Sequence, residues 1–205
     1  MNEHVQGEAE REIRAACDER DYERATSLAF RRYGAELLAF LGARLGSAAD
    51  GEDVFAACAE KLWLGLPQFE WRCSLRSWCY RLARNAANDF SALAHHRREL
   101  KVSPEAHARL SQLVDEVRTH TRRYLQTPIK DRMQELRETL PPDDQMLLIL
   151  RVDRNMGFRE LAVAMSDGAA TLDEPQLAAE AARLRKRFER IKDRLRELAR
   201  AEGLL

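Results

Sequence analysis

The stretch "QFEWRCSLRSWCYRLARNAANDF", residues 68–90, holds two of the three tryptophans of a chain in which aromatic residues are only 7%. Trp71 and Trp78 are joined here by Phe69, Arg72, Arg76, Arg81, Arg84 and Asn85, and Trp63 lies just upstream. "GLPQFEWRCS" reads as a loop because Gly65 and Pro67 interrupt the helical period, and Ser74 can cap the next helix. From Leu75 the apolar residues Trp78, Cys79, Leu82, Ala86 and Leu93 return at helical spacing, so this helix has an inward face. A large aromatic such as Trp78 suits a core, with Trp71 as a lid over the loop and the arginines solvating the helix. An aromatic loop feeding an arginine-studded helix also suits unstacked nucleic acid. Bases stack on aromatic faces at about 1–3 kcal/mol each, and arginines neutralise the backbone.

Helical periodicity extends outward in both directions, and strand-like alternation is scarce. Tyr22, Ala25, Ala29, Tyr33, Leu37, Phe40 and Leu41 make one stripe, broken at "LGSAADGED" by Gly46 and Gly51, with Asp50 as N-cap. A helix over roughly 51–65 turns Val54, Phe55, Cys58 and Leu62 inward. Residues 95–132 are polar with two prolines and read as a linker containing some helix, in patches such as "EAHARLSQLVDEV". A second module starts near Met133. Pro141 and Pro142 precede an acid-rich first turn, with Leu147, Leu148, Leu150 and Val152 on the apolar side. "GFRELAVAMSDG" is a short helix closed by Gly168, a loop with Pro175 comes next, and the last helix runs from about Gln176 to Glu202. The expected fold is all-α, with helical domains at 10–98 and 133–205 and a partly helical linker at 99–132.

The last helix carries the clearest charge signal. From Glu180 to Arg200 it has nine Lys/Arg and four Asp/Glu, and Arg183, Arg187, Arg190 and Arg194 share one face. Arg185, Lys186 and Lys192 widen that face. By itself this is a solvated, salt-bridged helix. Preceded by a short helix and a turn, it reads as a helix-turn-helix, with the "RLRKR" cluster near the end that enters a major groove. Arginines there can grip phosphates and reach guanine edges.

Other classes find less support. Net charge is zero, so nucleic-acid binding requires local charge segregation. No run nears the ~18 apolar residues of a membrane span, and the N-terminus lacks an apolar signal core, which gives a cytoplasmic expectation. Cys17, Cys58, Cys73 and Cys79 form no CxxC pair. Cys73 and Cys79 with His95–His96 fit no common zinc spacing, so buried thiols are the better reading and no metal or cofactor is expected. No Gly-rich phosphate loop, HExxH or paired-acid site suggests an enzyme.

"GEDVFAACAEKLW…LPQFEWRCSLRSWCYRLARNAANDF" resembles region 2 of the bacterial sigma-70 family, in its extracytoplasmic-function (ECF) subfamily. "LRETLPPDDQMLLILRVDRNMGFRELAVAMSD…LRKRFERIKDRL" resembles region 4. The resemblance implies a transcription initiation factor that docks on core RNA polymerase, captures the melted non-template strand of the −10 element and reads the −35 element as duplex. Carried over by position, Glu52, Asp53, Lys61 and Trp63 would face polymerase. Phe69, Trp71, Arg72, Ser74, Arg76, Trp78, Arg81, Arg84 and Asn85 would serve −10 DNA. Arg183, Arg185, Lys186, Arg187, Arg190 and Arg194 would serve −35 DNA. An anti-sigma factor is a further partner the resemblance allows. Two departures stand out: Ala56 and Ala57 replace the family's "QE", and "GAATLDEPQLAAE" lengthens the turn before the basic helix. These keep two alternatives open, a helix-turn-helix regulator that no longer recruits polymerase and a sigma-like protein-interaction module.

Overall fold

The computed structural model describes residues 2–92, 104–122, 136–137, 139–166 and 172–202. Among them every regular element is helical. The chain divides into two compact units, residues 1–125 and 126–205.

The first unit contains α1 (Asn2–Asp18), α2 (Tyr22–Leu45), α3 (Ala48–Gly65), α4 (Leu75–Ala92) and α5 (Pro104–Arg122). Its centre is α2, which packs against the other four. Each face follows from the apolar spacing: Ala25, Ala29, Tyr33, Leu37, Phe40 and Leu41 are buried, as the stripe predicted, and Tyr22 is half-buried. Edge-to-face rings knit the helices, Phe30 with Phe55 at 5.7 Å and Phe40 with Tyr80 at 5.4 Å. Asp21 caps α2 by accepting from the Arg24 N–H at 3.0 Å, and Gly46, at φ +65°, ends it.

Four expectations change here. The cap of α3 is Ser47, whose hydroxyl accepts from the Asp50 N–H at 3.2 Å, so Asp50 lies inside the first turn. Gly51 does not break the chain; it sits within α3 against the α2 backbone. A Cβ there would stand 2.7 Å from Gly42 N and 2.8 Å from its Cα, so only glycine lets the two helices approach this closely. Residues 104–122, expected in the linker, form α5, which packs on α2 and α3 with Leu110, Val114 and Val117 buried. In α4, Leu82 is half-buried rather than buried, and Leu93 lies outside the described residues.

The second unit contains α6 (Pro142–Leu148), continued by a π-helical turn over Ile149–Asp153, then α7 (Phe158–Ala164) and α8 (Glu174–Ala201). Pro142 and the acids Asp143 and Asp144 start α6. Leu147, Leu148 and Leu150 are buried, but Val152 is 51% exposed. The wider π turn shifts the helical phase and carries Val152 out of the apolar face. Gly168 lies outside the described residues. Pro175 is in the first turn of α8, not in a preceding loop. Asp173 and Gln176 cap each other's backbone N–H groups, at 2.8 and 3.0 Å, and fix this start. On α8, Leu184 and Ile191 are buried and Phe188, Leu195 and Leu198 are half-buried.

Candidate nucleic-acid interface

The loop between α3 and α4 gathers three aromatic rings. Phe69 stacks on Trp78 at 4.6 Å with 21° between planes, and meets Trp71 at 5.0 Å and 56°. Trp78 is 8% exposed, whereas Phe69 and Trp71 remain half-buried. The Trp78 ring lies over the end of α3, where a Cβ at Gly65 would come within 3.0 Å of it. Trp78 is therefore both core and floor of the cluster. Trp71 adopts φ +57°, a left-handed conformation that costs a bulky residue of order 1–3 kcal/mol and marks a loop held in place by its surroundings. Ser74 caps α4 as expected, accepting from the Ser77 N–H at 3.1 Å.

Helix α4 then sorts its arginines. Trp78, Arg81 and Asn85, spaced by three and four, continue one stripe away from the cluster, and Arg81 and Asn85 are half-buried. Arg76 and Arg84 instead face inward, at 7% and 5% exposure. Arg76 does not reach the surface as a DNA contact: its Nε and Nη2 donate to the two carboxylate oxygens of Glu36 at 2.9 and 3.0 Å. An arginine in the interior requires such a partner, and Glu36 on α2 supplies it. Arg72 is exposed and pairs with Glu70 at 2.8 Å.

The candidate polymerase-facing residues all lie on α3. Asp53 is exposed, Glu52 and Trp63 are half-buried, and Lys61 pairs with Asp89 of α4 at 2.8 Å. Ala56 and Ala57 are half-buried between them.

In the second unit, Arg183, Arg187, Arg190 and Arg194 line one groove of about 570 Å³ together with Asp144 of α6. Arg187 donates to Asp144 at 2.5 Å. Arg185 lies across the helix from this groove, its guanidinium 5.1 Å from the Phe158 ring. Lys186, Arg190 and Arg194 are exposed, and Arg183 pairs with Glu180 at 3.4 Å. The basic cluster does not sit at the helix start. Because α8 begins at Glu174, Arg183 stands about 13 Å along its axis, beyond the acids Asp173, Glu174 and Glu180.

Cys58 and Cys79 are buried, and Cys17 and Cys73 are half-buried, all as free thiols. Burial pushes the Cys58 thiol up to about 12 and the Cys79 thiol well above its ordinary value. Among the described residues no three His, Cys, Asp or Glu side chains come together as a metal site, and His95 and His96 lie outside them. No described helix is long and apolar enough to cross a membrane.

Two residues at the cluster gave no signal in the sequence. Arg14 of α1 places its guanidinium 5.6 Å from the Trp71 ring centroid. Glu10, one turn earlier, accepts from the Arg76 N–H at 3.2 Å and from the Tyr33 hydroxyl at 3.1 Å. Its carboxylate satisfies a donor in the first turn of α4, where negative charge is favoured.

An arginine-flanked aromatic loop thus lies at the head of α4, carried on the helical bundle of the first unit. Residues 29–99 match the Sigma-70 region 2 family, and that span includes the loop, α3 and α4. The match supports the sigma-70 family and a role in transcription initiation. Region 2 domains in general bind core RNA polymerase and −10 promoter DNA, and sigma-70 proteins are transcription factors rather than enzymes. No curated protein matches the chain.

Proposed function

We propose that this chain is an ECF-type sigma factor that works in the cytoplasm. It docks on core RNA polymerase through α3, with Asp53 as the exposed acid. It holds melted −10 bases on the Phe69–Trp71–Trp78 cluster and the Arg81–Asn85 stripe, and grips −35 duplex with the arginine face of α8. The observation that carries this reading is the aromatic cluster at the start of α4, inside the span that matches region 2. Each base stacked there contributes about 1–3 kcal/mol, comparable with the cost of unstacking it. Duplex contact falls to the middle of α8, because its first turns are acidic and would repel phosphates. The helix thus lies along the duplex instead of entering it end-on.

The test is complex formation with core RNA polymerase, measured by size exclusion, for the wild type and for Asp53→Arg. Binding that the charge reversal abolishes supports the reading. A folded chain that ignores polymerase but binds duplex defeats it in favour of a stand-alone regulator, which Ala56 and Ala57 on α3 would suit. A folded chain with no salt-dependent DNA affinity would be an interaction module.

A further inference from the structure

We propose that α1 is part of the single-strand interface and that Arg14 binds the phosphate of the nucleotide whose base stacks on Trp71. The inference rests on the base-capture reading of the aromatic loop. Helix α1 precedes the residues that match region 2, so nothing in that match assigns it a part in binding. Three observations tie it to the loop. The Arg14 guanidinium stands over the Trp71 indole at 5.6 Å. Glu10, one turn before it, holds the Arg76 N–H at the head of α4 and the Tyr33 hydroxyl of α2. Ile13 and Ala16, each 1% exposed, bury the neighbouring face of α1.

The backbone at Arg14 is therefore fixed with respect to the aromatic loop, while its side chain is exposed and makes no ion pair with a described residue. A cation over a half-buried ring, with the guanidinium itself exposed to solvent, is held less strongly than a stacked base. A base arriving at Trp71 displaces the guanidinium from the indole. The displaced group then lies within one side chain's reach of that nucleotide's own phosphate, for which it is a charge-matched donor. Arg14 thus occupies the ring when the site is empty and the phosphate when it is filled.

The experiment uses the full chain and a fluorescently labelled pool of short random-sequence single-stranded DNA, read by anisotropy across a salt series. Trp71→Ala, Arg14→Ala and Arg14→Lys are compared, with folding checked by circular dichroism. Arg14→Ala should weaken binding about fivefold at low salt and reduce the slope of log affinity against log salt by about 0.7, the value for one phosphate on a single strand. Arg14→Lys should keep that slope. Unchanged or tighter binding by Arg14→Ala, with the slope intact, overturns the inference and makes Arg14 a mere cover for Trp71. A wild-type affinity that Trp71→Ala leaves unaltered defeats the base-capture reading itself, and the inference with it.

Discussion

Replacing Arg76 by alanine should loosen the first unit as a whole. The guanidinium meets both carboxylate oxygens of Glu36 at 2.9 and 3.0 Å, and the two side chains are 8% and 20% exposed. Removing one member of a buried pair typically costs about 3–5 kcal/mol, because the other charge is stranded. Glu36 retains some solvent, which puts the expected loss near the lower figure, about 3 kcal/mol. With an ordinary urea dependence of about 2 kcal/mol/M, the midpoint should fall by about 1.5 M. Tryptophan fluorescence is a clean assay: Trp63, Trp71 and Trp78 all lie in the first unit, so the signal does not mix in the second. Glu36→Ala should cost a similar amount, and the double variant should lose little more than either single one, leaving a coupling of about 2–3 kcal/mol. An Arg76→Ala midpoint equal to wild type, alongside weakened DNA binding, would refute the reasoning and return Arg76 to the interface.

Two further perturbations test the packing. Gly51→Ala forces a Cβ to within 2.7 Å of the α2 backbone, and its overpacking cost of about 1–3 kcal/mol exceeds the helix-propensity gain of about 1 kcal/mol, so the melting temperature should fall. Gly42→Ala, in the same helix contact, meets nothing nearer than 4.0 Å and should raise it; shifts of the same sign in both variants would contradict the described contact. The buried thiols give a pH signature. The usual Cys58 value of 9.0 rises to about 12 on folding, so the unfolded chain sheds this proton first. Stability is then intact below about pH 9 and lost as pH climbs toward 12, at about 1.4 kcal/mol per pH unit for each such thiol. Urea midpoints measured across that window should fall, and less steeply in Cys58→Ala. Alkylation of the native protein should reach Cys17 and Cys73 before Cys58 and Cys79; early modification of Cys58 would count against its burial.

Much of the first unit was legible because local rules govern it. The α2 stripe, the Ser74 cap and the inward face of α3 depend on residues three or four apart, and spacing reveals them. The aromatic loop was legible too, since its rings lie within ten residues of one another. Residue type, however, does not show which arginines leave the surface. Arg76, Arg81 and Arg84 sit on one helix and look alike in the sequence. Only the approach of Glu36, forty residues away on α2, draws Arg76 inward, while Arg81 stays half-buried.

By itself, then, the sequence determined that the chain is helical, where most helices run, and that aromatic and basic residues concentrate at the start of α4 and along α8. Tertiary structure decided the rest: α5 joins the first unit's core, and α1 brings Arg14 to the aromatic loop and Glu10 to the head of α4, each more than fifty residues away. The physical reason is range. Periodicity and capping are set within a turn or two of helix, whereas ion pairing, ring contacts and close helix approach depend on which faces meet, and that is fixed only when the whole core is packed.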